Sequence, residues 1–185
     1  MKYPACVFAS LVCLAGCSKG PTVELHNATN KDVAQAVARS GVMASDTMIE
    51  PGKWQSKTII EEMNIPGIPA QYAAQAKASM AARRNQESSH CIRPGDVKKP
   101  KEDFFGADKS CKYDHFIMGG GKIDVAMVCH EEESTNKMTI LGSYTPTSYS
   151  IDTSMTGSGG HEGAGMSMKA HVDAQRVGEC TGKED

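Results

Sequence analysis

The stretch Cys111–Cys129, CKYDHFIMGGGKIDVAMVC, constrains the chain more than any other. Two apolar-alternating runs flank Gly119, Gly120 and Gly121, and a cysteine closes each outer end. Alternation at period two reads as β-strand, and a glycine cluster between two such runs supplies the positive φ that a hairpin turn needs. Tyr113, His115 and Ile117 are expected on one side of the first strand, and Ile123, Val125 and Met127 on one side of the second. With all three glycines in the loop, Met118 faces Lys122 and Cys111 faces Cys129, where a disulfide fits. With two in the loop, the register slips by one and the cysteines point to opposite faces. The pairing depends on the turn.

The N-terminus says where such a hairpin would live. Met1-Lys2 is basic, Val7 to Ala15 is apolar, and Leu14-Ala15-Gly16-Cys17 closes the segment, which is the layout of a signal peptide and too short for a membrane span. The last four residues resemble the lipobox of bacterial lipoproteins, which implies cleavage before Cys17 and acylation of its thiol. Buried methylenes contribute about 0.8 kcal/mol each, so two or three acyl chains make a lasting anchor. Ser18, rather than Asp, follows Cys17, and the resemblance then implies the periplasmic face of the outer membrane.

Of seven cysteines, Cys6 and Cys13 leave with the signal and Cys17 is lipidated. Cys91, Cys111, Cys129 and Cys180 remain, an even number that reads as two disulfides in an oxidising compartment. The hairpin favours Cys111–Cys129 with Cys91–Cys180; Cys91–Cys111 with Cys129–Cys180 is the rival. A four-thiolate zinc site lacks a CxxC knuckle.

The 185 residues suffice for one domain with a core. A net charge of −2 gives no basic excess to draw nucleic acid, so that class of partner is set aside. No apolar run reaches the length of about 18 residues that a spanning helix needs.

The expected organisation is a signal peptide over 1–16, a lipidated tether over 17–28, a short helix and linker over 29–50, a β domain over 51–180 and a tail over 181–185. Thr29-Asn30-Lys31-Asp32 offers a capping box, and Val33, Ala36 and Val37 follow at helical spacing before Gly41, which predicts a helix from about Asn30 to Ser40. Strands are expected over Lys53–Met63, Ser88–Ile92, the two hairpin arms, Met138–Thr145, Ser148–Thr156 and Met166–Val177. The alanine-rich Ala70–Arg84 stretch predicts a peripheral helix with a thin apolar stripe, and His130–Lys137 a solvated loop. The fold class is mainly β with minor α: an antiparallel meander of about seven strands, curled or an open barrel, with one or two peripheral helices.

Chemistry-bearing constellations are sparse. Met166, Met168, His161 and His171 invite a copper or zinc reading, since thioethers suit Cu(I). Strand parity puts Met166, Met168, Ala170 and Val172 on the apolar face and His171 on the other, so the methionines read first as core filler. Thr156-Gly157-Ser158-Gly159-Gly160 lacks the strand-turn-helix setting of a nucleophile elbow. Glu61-Glu62 and Glu131 to Glu133 have no apolar enclosure. The glycine-rich Gly157–Gly165 has no Lys-Ser/Thr ending for phosphate. No cofactor motif and no enzyme are expected.

Pro51-Gly52-Lys53-Trp54, Met63 with Pro66-Gly67-Ile68-Pro69, Cys91 followed by Pro94, Lys99-Pro100 before Phe104-Phe105, the Cys111–Cys129 hairpin, Gly142, Tyr149 and Gly178-Glu179-Cys180 together resemble the domain-of-unknown-function family 3617. The likeness runs from about Pro51 to Cys180. It implies small, β-rich exported proteins and lipoproteins of Gram-negative bacteria, and no established activity or site residues. The expectation is a lipid-anchored, non-enzymatic binding or envelope-structural module. Trp54, Phe116, Met166 and Met168 are the candidates to line an apolar small-molecule face. The alternative is a metal-binding protein using His161, His171 and methionines.

Overall fold

The structure is a computed structural model that describes residues 20–67, 69, 71–72, 74–75, 78–79, 86–98, 110–131, 133–159 and 165–182. The chain runs β1 (Thr22–Thr29), α1 (Asn30–Ser40), a 3-10 turn (Val42–Ala44), β2 (Gly52–Asn64), β3 (Gln86–Ile92), α2 (Pro94–Lys98), β4 (Cys111–Gly119), β5 (Lys122–Glu131), β6 (Ser134–Thr145), β7 (Ser148–Gly159) and β8 (Met166–Gly178). One open antiparallel sheet takes the order β1-β4-β5-β6-β7-β8-β2-β3. β4 to β8 are the expected meander. β1 adds to one side of it, and the β2–β3 pair adds to the other.

The expected seven strands are one short. Thr22–Thr29 falls in the segment read as a tether, yet Val23 and Leu25 pair with Met118 and Phe116 of β4 and turn inward. Two apolar positions ahead of a helix give little local alternation, so the neighbouring strand decides this one. The helix that follows is as expected. Thr29 Oγ1 accepts from the Asp32 amide at 3.3 Å, the Thr29 amide donates back to Asp32 Oδ2 at 3.0 Å, and Gly41 ends the helix at φ 76°. Val33 and Val37, one turn apart, are buried.

The central hairpin corrects the expected loop. Gly119 pairs with Lys122, so the turn holds only Gly120 and Gly121, whose φ values of 57° and 76° make the two-residue turn that suits sheet twist. Parity should then separate the cysteines. Asp114 prevents this, because it is an extra residue in β4, a bulge between Tyr113 and His115 that restores the lost step. Cys111 therefore lies opposite Cys129 and is bonded to it, with Cys91 bonded to Cys180, the favoured connectivity. The bulge also redraws the faces. Cys111, Tyr113, Phe116 and Met118 are buried, while His115 and Ile117 turn to the opposite side rather than joining Tyr113. β1 bends at the same level, where Asn27 takes φ 50°.

The expected His130–Lys137 loop is also shorter, since Glu131 pairs with Ser134 and only residues 132–133 remain between strands. In the alanine-rich stretch, the described residues between 71 and 79 are helical and exposed, in line with a peripheral helix. Among the described residues no helix is long and apolar enough to cross a membrane.

The main core lies between α1, the 3-10 turn and α2 on one side and β1, β4, β5 and β6 on the other, around Val33, Val37, Tyr113, Phe116, Val125 and Met127. Tyr113 and Phe116 meet edge to face at 5.7 Å. A second buried point is the corner at Trp54. Its ring stacks on Tyr149 at 5.6 Å and its Nε1 donates to the Glu50 carbonyl at 3.0 Å. Arg176, paired with Trp54 across β2 and β8, donates from Nε to the Pro51 carbonyl at 2.8 Å and is held by Glu179. A side chain at residue 52 would meet Arg176 Nε at 2.6 Å and the Gly178 carbonyl at 2.5 Å, so this close approach requires Gly52.

Candidate functional site

Antiparallel register arranges the inward side chains in rungs across the sheet. One rung reads Leu25, Phe116, Val125, Ile140, Thr153, Ala170, Ile60 from β1 to β2. The next reads Val23, Met118, Ile123, Gly142, Ile151, Val172, Thr58. A third holds Met127, Met138, Met155, Met168 and Met63, with Met166 two residues further along β8 on the same face.

The two halves of this inner face differ. Toward β1 the rungs end in the core under α1. Toward β2 they do not, because among the described residues the main buried cluster takes only Tyr149 from β7, and nothing from β8 or β2. Ile60, Met63, Ile151, Met155, Met166, Met168 and Val172 are all partly exposed. Ala170, Thr153 and Gly142 between them are small, Ala170 being buried and Gly142 closely covered by Ile151. This is a partly exposed apolar surface.

Of the four residues expected to line such a surface, Met166 and Met168 do lie on it. Trp54 and Phe116 do not. Both are fully buried, Trp54 in its corner and Phe116 beneath the helix side, so neither has a face left for a ligand. Ile60, Ile151, Val172, Met63 and Met155 were missed, because membership of the open half depends on β2 docking beside β8. That is a long-range pairing. Cys17, His161, Phe104 and Phe105 lie outside the described residues.

The opposite face is polar. A groove of about 450 Å³ crosses β2, β8, β7 and β6, lined by Gln55, Lys57, Glu87, Ser150, Asp173 and Gln175 among others. Gln55 Nε2 donates to Glu87 Oε2 at 2.9 Å across β2 and β3. Beside the groove, His171 Nδ1 lies 2.6 Å from Asp152 Oδ1, its Nε2 lies 3.2 Å from Asp173 Oδ2, and Ser150 Oγ is 3.4 Å from Nε2.

The grouping contains the residue types of a nucleophile and base, but its electrostatics run the other way. The hydrogen bond to Asp152 is the largest cause holding the imidazole pKa above its ordinary value, with Asp173 adding to it against a desolvation penalty. Asp173 in turn is lowered, first by Ser150 and then by His171. With Asp152 at one ring nitrogen and Asp173 at the other, both nitrogens of His171 are already engaged beside Ser150.

The expected His–Met metal grouping is not brought together by the sheet. His171 is on the polar face with the two aspartates, and the methionines are on the other. Among the described residues no three His, Cys, Asp or Glu side chains converge as ligands.

A family model described as a protein of unknown function (DUF3617) matches residues 49–180. No curated protein and no solved structure matches the chain.

Proposed function

The chain belongs to the DUF3617 family, a family of unknown function, and from that premise we propose that it is an exported lipoprotein acting as a non-enzymatic module that holds an apolar, acyl-like molecule. The single observation that carries the ligand reading is the half of the inner face outside the main core, where Ile60, Ile151, Val172 and the methionines stay partly exposed. A contiguous apolar surface on a folded chain calls for an occupant, and methionines adapt to flexible ones. Among the described residues no charged side chain interrupts the three rungs, which favours the apolar part of such a molecule over a polar head group.

The export reading is supported by the Leu14-Ala15-Gly16-Cys17 pattern and by two disulfides, which persist in oxidising compartments. If Cys17 is the acylated terminus, only Ser18 to Pro21 separate it from β1. Five residue steps span at most about 17 Å, so the end of the sheet carrying Thr22, Gly119 and Gly120 would sit close to the periplasmic face of the outer membrane. The non-enzymatic reading rests on His171 being paired with a carboxylate at each ring nitrogen.

The test is organic extraction of the chain purified from its own envelope, alongside the variant I151E/V172E prepared identically. An apolar species recovered at a constant ratio from the parent and lost from the variant supports the reading; equal recovery from both, or none from either, overturns it. Peptide mass spectrometry of the same sample is expected to find diacylglyceryl on Cys17, and an unmodified Cys17 would remove the anchor.

A further inference from the structure

We propose that the methionine rung is a binding site for one soft monovalent cation, Cu(I), held by the thioether sulfurs of Met63, Met155 and Met168, with Met166 in reach as a fourth donor. Met155 lies directly opposite Met168, and Met168 opposite Met63, on three neighbouring strands of one face. Adjacent strands are separated by about 4.8 Å, and methionine has three rotatable bonds beyond Cα. Three sulfurs starting from one line can therefore close around a single ion.

The donors decide the metal. Thioethers are neutral and soft, which suits Cu(I) and leaves hard divalent cations unsatisfied. Cys91, Cys111, Cys129 and Cys180 are all in disulfides, so none of these four offers a competing thiolate. His171, the histidine on the same strand, faces the other way between Asp152 and Asp173. The four methionines are each partly exposed, so an ion has a path to them.

The rung is also set apart from Ile151 and Val172. It lies two rungs, four residues, up β7 and β8 from Ile151 and Val172. A methionine-to-leucine change at the rung removes the sulfurs but keeps an apolar side chain of similar volume, so it tests the cation while leaving the apolar surface in place.

The chemistry gives a signature that a histidine site lacks. Thioethers do not protonate in the accessible range, so affinity should not change between pH 7.5 and pH 5, where imidazole ligands gain protons and release metal. The experiment is an anaerobic competition titration of Cu(I), kept reduced with ascorbate, between the full chain and a chromophoric chelator at both pH values. X-ray absorption of the loaded protein reads the donors.

One equivalent bound equally at both pH values, with sulfur-only ligation, is expected. M63L/M155L/M168L, which keeps volume and apolarity, is expected to lose it, and H171A to keep it. No uptake by the parent chain, nitrogen in the first shell, uptake lost in H171A, or uptake kept by a folded leucine variant would each overturn the site. Should the triple variant melt differently from the parent, the single change M168L, expected to weaken uptake at an unchanged melting temperature, takes its place.

Discussion

At the scale of single residues, position in the register matters more than residue type. His115 and His171 both sit on the polar face with an aspartate across the strand, His115 Nε2 at 2.8 Å from Asp124 and His171 between Asp152 and Asp173. For His171 the pKa is raised in the folded state, chiefly by Asp152. Such a group stabilises the fold fully below its unfolded pKa of about 6.5, and that contribution disappears as pH rises through the higher folded value. The melting temperature is therefore expected to fall between pH 6 and pH 9 by an amount that H171Q removes. Differential scanning calorimetry at the two pH values for both proteins checks this, and an unchanged pH dependence in H171Q would contradict it. Trp54 illustrates the same rule for an apolar residue. Its reading as a ligand contact fails, because Tyr149 and the Glu50 carbonyl already occupy its ring and its N–H.

At the scale of elements, the hairpin β4–β5 shows both what alternation can tell and where it stops. The two strands, the glycine turn and the Cys111–Cys129 pair were legible, because each leaves a local mark in Cys111–Cys129. The compensating errors were not. A two-glycine turn and a bulge at Asp114 shift the register in opposite senses, and the bulge is matched by Asn27 on a strand 87 positions earlier. Deletion of Asp114 should leave the turn and lose the compensation, turning Cys111 away from Cys129. Peptide mapping without reduction is expected to find Cys91–Cys180 and no Cys111–Cys129 in that variant. A native Cys111–Cys129 peptide would show that the register is set elsewhere. At the turn itself, Gly121 has φ 76° and an added Cβ would come 2.8 Å from the Tyr144 carbonyl, which also lies beside the Tyr144 amide bond to Gly121. G121A is expected to cost about 1–2 kcal/mol in denaturant unfolding from the backbone conformation alone, and a neutral result would count against the two-residue turn.

At the scale of the whole molecule, several of the landmarks that carry the family likeness gather at one corner. Pro51, Gly52 and Trp54 open β2, Tyr149 stacks on Trp54, Arg176 and Glu179 close over Pro51, and Cys180 ties this end to Cys91 on β3. These residues join the two ends of the 51–180 segment. Loss of Cys91–Cys180 by C91S/C180S closes no loop of about 90 residues in the unfolded chain and is expected to cost about 4–5 kcal/mol on the chain-entropy estimate, against about 3 kcal/mol for C111S/C129S. Urea unfolding of the two variants checks the order, which a larger loss from the hairpin bridge would reverse. The sheet order was the least legible property. Which strands neighbour β2 has no local signature, and yet that neighbour decides which half of the inner face lies open and which methionines form a rung.

The partly exposed half of that face is the central claim, and a fluorescence titration with a neutral apolar probe measures it directly on delipidated protein. Saturable binding by the parent that is lost in a folded I151E/V172E variant and retained in H171Q is the predicted result. Equal probe binding by all three proteins, or none by the parent, would mean that the face is closed and the ligand reading wrong.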